Sequence, residues 1–140
     1  MTLLLDTNIV SEWVKPNPAP RLSAWLDAQS EGSLYLSVIT FAELRRGTSL
    51  LNQGKKRDAL RQWIDGPLAA RFDGRVLNVD RDVCDVWGDL LALARRRGVG
   101  LGVMDGFVAA TAIAYELTLV TRNTRDFEQL DVSLFNPFVA

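Results

Sequence analysis

Apolar residues along this chain follow two rhythms. Short unbroken runs at Leu3–Leu5, Leu34–Leu36, Val76–Val79, Leu117–Val120 and Val132–Phe135 predict buried strands. Between them, apolar residues recur at helical spacing. One stripe, Leu22, Trp25, Leu26 and Ala28, follows the start signal Pro18-Ala19-Pro20, and a second carries Phe41, Leu44, Leu50 and Leu51. A third carries Leu60, Trp63, Ile64 and Leu68, and the strongest runs from Val83 through Val86, Trp87, Leu90, Leu91 and Leu93 to a stop at Gly98. Phe107, Val108, Ala110, Ala112 and Ile113 form the last. Alternating strands and helices predict an α/β fold, with a central, mostly parallel five-stranded sheet and helices on both faces. Residues 37–75 are long enough for two helices, with a break at Asn52-Gln53-Gly54. The tryptophans fit these stripes as core residues.

Two strands end abruptly in polar residues. Leu3–Leu5 runs into Asp6-Thr7-Asn8, and Leu117–Val120 runs into Thr121-Arg122-Asn123. Ligands of open α/β sheets collect at the carboxyl ends of strands, so both places are site candidates. Asp6 can equally cap a helix starting near Ile9. Glu43 follows the second strand, and Ser37 or Thr40 can cap its helix, the latter with Glu43 in a capping box. Yet Glu43 lies among Phe41, Ala42 and Leu44. Asp105 follows a glycine-spaced loop and opens an alanine-rich helix, where an acid also complements the helix dipole. The topology places Asp6 and Asn123 on adjacent strands, with Glu43 and Asp105 on helices starting at the same edge. Clustered carboxylates raise one another's pKa values, and a divalent cation relieves that repulsion. Such a site suits phosphoryl transfer or phosphodiester hydrolysis with a metal-activated water.

Composition narrows the chemistry. The 140-residue chain contains no histidine, so imidazole bases and histidine-ligated zinc are excluded. Its single cysteine, Cys84, excludes an internal disulfide and, beside Val83 and Val86, is expected to be a buried core thiol. Oxygen ligands remain, and they favour Mg²⁺ or Mn²⁺. The formal net charge of −1 provides no global attraction to nucleic acid, so any RNA contact must be local. The candidates are Arg45-Arg46, Lys55-Lys56-Arg57, Arg95-Arg96-Arg97, Arg122 and Arg125, with Arg122 nearest the proposed site. No run approaches the roughly 20 apolar residues of a membrane span, and nothing resembles a signal peptide. The expectation is one domain, residues 1–140, in the cytoplasm.

Together Asp6-Thr7-Asn8, Glu43 in Thr40-Phe41-Ala42-Glu43-Leu44, Asp105, Leu119-Val120-Thr121-Arg122-Asn123, Phe127 and Phe135-Asn136-Pro137 resemble the PIN domain, in particular the VapC and FitB toxins. The motifs are short, and their order and spacing carry the resemblance. It implies a three-layer PIN-like fold, Mg²⁺- or Mn²⁺-dependent endoribonuclease activity, a homodimer and a cognate antitoxin. Asp6, Glu43 and Asp105 match the family's acidic metal positions. Asn123 matches a fourth that is often Asp, which leaves three carboxylates for one ion or two. Asp126 is a substitute charge, or else exposed or capping. Thr7, Thr121 and Arg122 are expected to support the site. Three alternatives compete. A haloacid-dehalogenase-type phosphatase would need a second Asp where Asn8 stands and a late Lys, and no Lys follows Arg57. A receiver-type domain would use Asp80 after a central third strand. A catalytically silent PIN-like module would serve dimerisation or protein binding.

Overall fold

The computed structural model describes residues 2–139. Its five strands are β1 (Leu3–Leu5), β2 (Leu34–Ser37), β3 (Val76–Leu77), β4 (Thr118–Val120) and β5 (Leu134–Phe135). Every pairing is parallel, in the order β3-β2-β1-β4-β5. The α-helices among the described residues are α1 (Thr7–Trp13), α2 (Pro20–Asp27), α3 (Val38–Leu50), α4 (Lys55–Trp63), α5 (Ala69–Arg71), α6 (Arg81–Arg96) and α7 (Val103–Ala114).

β1 is the central strand, and its three leucines are buried. Alternate residues of a strand face opposite ways. Leu3 and Leu5 accordingly enter a core with Ile9, Val10, Leu22, Leu36, Leu44 and Phe72. Leu4 enters the other core with Leu90, Val108, Ala112, Leu119 and Phe127. Helices on both faces explain why β1 reads as an unbroken apolar run. Each leucine contributes roughly 1.5–3 kcal/mol on burial.

From β1 the chain steps outward to β2 and β3, then returns to place β4 on the other side of β1. This reversal opens a crevice between the carboxyl ends of β1 and β4. Asp6 and Thr121 lie immediately beyond those two ends.

Several expectations shift in detail. β3 and β5 hold two residues each, shorter than their apolar runs, because both are sheet edges with one hydrogen-bonding neighbour. The break after α3 falls as expected, but Leu50 ends that helix 70% exposed rather than in the core. The segment after α4 does not stop. It passes through a π turn, Ile64–Leu68, into α5. Pro67 sits inside that turn; it lacks an N–H, and a wider turn tolerates it. Cys84 is exposed, correcting the buried-thiol reading. On α6 the inward positions are Val83, Leu90 and Ala94, and Cys84 is rotated about 100° from Val83. The tryptophans are half-buried rather than central. Trp25 stacks on Phe135 and Trp87 on Phe107, while Trp13 meets Phe72 edge-on. Among the described residues no helix is long and apolar enough to cross a membrane.

Candidate active site

Asp6 directly follows β1 and is 5% exposed. Its Oδ1 accepts from Thr7 N at 2.8 Å, so it does cap α1. Its Oδ2 accepts from Thr121 Oγ1 at 2.8 Å and from Asn8 Nδ2 at 3.4 Å. Capping does not remove Asp6 from the crevice: the cap holds the carboxylate there. Asn8 Nδ2 also donates to Thr121 Oγ1, tying the ends of β1 and β4 together.

Glu43 lies on α3, whose N-cap is Ser37, donated to by Ile39 N. Thr40 is therefore no cap. It is buried, and its hydroxyl lies 3.3 Å from Thr7 Oγ1. Thr7 Oγ1 also donates to Glu43 Oε1 at 2.6 Å, which fixes that carboxylate. Asp105 sits half-buried in the first turn of α7, where the helix dipole favours an anion. Its helix is seated against α6: Trp87 Nε1 donates to Val103 O at 3.2 Å, and Trp87 stacks on Phe107. A Cβ on Gly106 would come within 2.6 Å of Leu91 Cδ2 and 3.0 Å of Trp87 Nε1. Glycine permits that approach beside Asp105 without displacing Leu91 or Trp87.

These acids line one cleft of about 430 Å³, together with Thr7, Asn8, Ser11, Glu12, Lys15, Arg122 and Asn123. Burial pushes Asp6 up to about 6, and the charges of Asp105 and Glu43 add to the rise. Burial also raises Asp105, reinforced by Glu43 and Asp126. Among the described residues no Lys or Arg forms an ion pair with Asp6, Glu43 or Asp105. Nor do three acids close into a ready-made cage. The set fits Mg²⁺ or Mn²⁺ nonetheless. Such ions accept one or two carboxylates and fill the remaining positions with water and substrate oxygens.

Asn123 faces the cleft, and its Nδ2 donates to Asp126 Oδ2 at 2.6 Å. Asp126 is half-buried and close enough to act on Asp105, though it does not line the cleft. Of the basic groups singled out in the sequence, Arg122 lines the cleft, whereas Arg45 faces Asp65 and Arg97 donates to Gln129 O. Lys15 and Glu12 line it without having been anticipated. Their signal was available: Asn8, Ser11, Glu12 and Lys15 recur at helical spacing as a polar stripe.

The PIN-domain sequence model matches residues 3–133. The chain belongs to the PIN-domain family. Within the family it is 40% identical to Toxin FitB of Neisseria gonorrhoeae, over 97% of this chain and 98% of that protein. It is also 40% identical to VapC ribonuclease Y4jK of Sinorhizobium fredii, over 97% of each. The crystal structure of FitAcB from N. gonorrhoeae contains a chain that superposes with a TM-score of 0.93 at 40% identity, covering 99% of this chain and all of that one. PIN membership removes the phosphatase and receiver readings. Independently, β3 is an edge strand, and the Asp80 after it caps α6, accepting from Val83 N and from the Tyr115 hydroxyl.

Proposed function

We propose that this chain is a divalent-metal-dependent endoribonuclease, the toxin half of a toxin–antitoxin pair, acting as a homodimer. The observation that carries the reading is three carboxylates, from the end of β1, from α3 and from α7, in one cleft with no ion-paired Lys or Arg among the described residues. The naming of one relative as a toxin and another as a ribonuclease supports it.

Asp6 and Asp105 would hold Mg²⁺ or Mn²⁺, with Glu43 directing a water or completing a second ion's ligands. When bound, the cation supplies Lewis-acid chemistry, making water a better nucleophile and offsetting charge on a phosphodiester. The protein groups prepare that geometry. Thr121 and Asn8 orient Asp6, Thr7 orients Glu43, and the Asn123 amide restrains Asp126. Asn123 Oδ1 makes no protein hydrogen bond among the described residues and is free to accept from a water. Without histidine, attack by the ribose 2′-hydroxyl lacks its usual base. Water attack leaves 5′-phosphate and 3′-hydroxyl ends. The test is single-stranded RNA with Mn²⁺, with and without chelator, followed by end-group analysis. Chelator-resistant cleavage or 2′,3′-cyclic phosphate ends would overturn the mechanism. Neither cleavage nor Mn²⁺ binding would leave the fold as a silent binding module.

The same electrostatics invite an inhibitor. A basic side chain on the C-terminal segment of an antitoxin can take the cation's place near Asp6 and Asp105. Full inhibition by an antitoxin lacking that segment would refute this. Sedimentation at micromolar concentration should give twice 15.6 kDa, and a monomer there would refute the dimer.

A further inference from the structure

We infer that Arg122 is the cleft's contact to a substrate phosphate, and that Phe138 and Asn136 hold it in position. This rests on the nuclease reading above.

An acidic cleft attracts a cation but repels the polyanion it must cut. Two basic side chains line this cleft, Lys15 and Arg122. Lys15 Nζ is engaged by Glu12 Oε1 at 3.0 Å. Arg122 has no ion-pair partner among the described residues, and its guanidinium N–H groups donate to no protein acceptor there. Its guanidinium carbon instead lies 3.9 Å from the centroid of the Phe138 ring. One face of the fork is therefore covered by an aromatic ring, and the donor edge is left unused.

The support is built from both chain segments. Arg122 N donates to Asn8 Oδ1 at 3.2 Å, which ties the residue to the Asp6 end of β1. Asn136 Nδ2 donates to Arg122 O at 3.2 Å, and Phe138 N donates to Asn136 Oδ1 at 2.9 Å. Phe138 packs against the core that holds Leu3, Leu5, Ile9 and Val10. The arginine's backbone and the ring under its side chain are thus fixed by one hydrogen-bonded circuit. A planar, stacked guanidinium loses less freedom on binding than a mobile lysine, and its fork matches two phosphate oxygens. Phe138 is a positioning residue in this scheme; Arg122 touches the substrate.

The test uses the full-length, antitoxin-free chain and a single-stranded RNA oligonucleotide with Mn²⁺. Steady-state kinetics are measured across a salt series, Mn²⁺ binding by calorimetry, and melting temperature as a control. Arg122→Gln should raise KM about tenfold, the effect of losing a charge-assisted pair. Its kcat and Mn²⁺ affinity should change less than about twofold, and the slope of log(1/KM) against log salt should become shallower by about 0.7, the value for one phosphate on a single strand. Arg122→Lys should keep the slope and still raise KM, because the charge survives and the fork does not. Phe138→Leu keeps an apolar, somewhat smaller side chain and removes the ring; it should raise KM with the slope intact. Unchanged KM and slope in Arg122→Gln would overturn the inference. So would a loss confined to Mn²⁺ affinity, which would make Arg122 an organiser of the acids. A Phe138→Leu variant that lowers the melting temperature without moving KM would overturn the positioning role. Wild-type protein that neither cleaves RNA nor binds Mn²⁺ would defeat the nuclease reading itself; active wild type with unmoved variants defeats this inference alone.

Discussion

The two edges of the sheet treat carboxylates in opposite ways. At the amino edge, Glu31 precedes β2 and meets two guanidiniums, Arg71 Nε at 2.8 Å and Arg75 Nη2 at 3.3 Å. Arg75 also donates to the Leu34 and Arg71 carbonyls, and Arg71 stacks over Trp13. The hydrogen bond from Arg71 is the main reason Glu31 is held below the usual carboxylate range. At the carboxyl edge, Asp6, Glu43 and Asp105 share one cleft with no ion-paired Lys or Arg among the described residues, and Asp6 and Asp105 are raised. The amino edge uses charge to join β2 to the segment before β3. The carboxyl edge stores unfavourable charge where a ligand can relieve it. Perturbed carboxylates in a cleft mark a candidate site; satisfied ones at a strand entrance fit a structural role.

That contrast can be broken most directly by kinetics. Asp6→Asn and Asp105→Asn should each lower the cleavage rate on the order of 100-fold or more, because an ion's charge stabilisation is worth several kcal/mol. Glu31→Gln should leave the rate within about twofold, since a screened surface pair has little reach. Initial rates on single-stranded RNA at saturating Mn²⁺ decide the matter. Equal losses at both edges would erase the distinction.

Stability of the chelated protein should separate the edges by sign. Asp6 has a folded pKa of about 6 and an ordinary value of 3.8, so the folded state binds its proton more tightly. Its contribution is greatest below pH 3.8, falls as pH rises through about 6, and is flat above; the fall is roughly 2–3 kcal/mol. Raised Asp105 acts in the same direction. Glu31 does the reverse: its contribution is present above its ordinary 4.5 and disappears as pH falls through its lowered value. Urea melts should show Asp6→Asn gaining on wild type as pH rises from about 5 to 7. A constant difference would show that Asp6 is not raised.

Gly106→Ala probes the seat of the site. The new Cβ would meet Leu91 Cδ2 at 2.6 Å, and overpacking of this kind costs about 1–3 kcal/mol. Because Asp105 is the preceding residue, Mn²⁺ affinity should fall with it, read by calorimetry on the folded variant. Lost stability with intact Mn²⁺ binding would mean the α6–α7 contact does not set Asp105. The smallest effect belongs to Glu31→Gln, a loss of less than about 1 kcal/mol for a half-exposed pair. A larger loss would show that the amino edge carries more of the fold than its exposure suggests.

Much of this was legible from local pattern. β1 could be found because a central parallel strand is buried on both faces and so loses its alternation. Asp6, Thr121 and Asn123 stood out where apolar runs gave way to polar residues. Glu43 stood out as an acid on an apolar helix face. Other features depend on rotation and distance. Cys84 is exposed because α6 turns its neighbour Val83 inward instead. Thr40 had the spacing of a cap, yet Ser37 took that role and left Thr40 for Thr7. Phe138 is sixteen residues beyond Arg122, and nothing local links them.

The sequence by itself determined the order of strands and helices and the kinds of chemical group available, because periodicity, turn chemistry and the absence of histidine are local properties of the chain. It therefore specified an α/β sheet and carboxylate chemistry. Only the tertiary structure decided which acids go unpaired. Glu31 and Asp6 are both carboxylates near a strand end, one before its strand and one after, and neither's neighbouring residues say which partners it will meet. The strand order does: it brings Arg71 and Arg75 to Glu31, and it brings Glu43 and Asp105 to Asp6. Charge interactions fall off with distance through space, not along the chain, so the pKa shifts that mark the site exist only once the sheet is assembled.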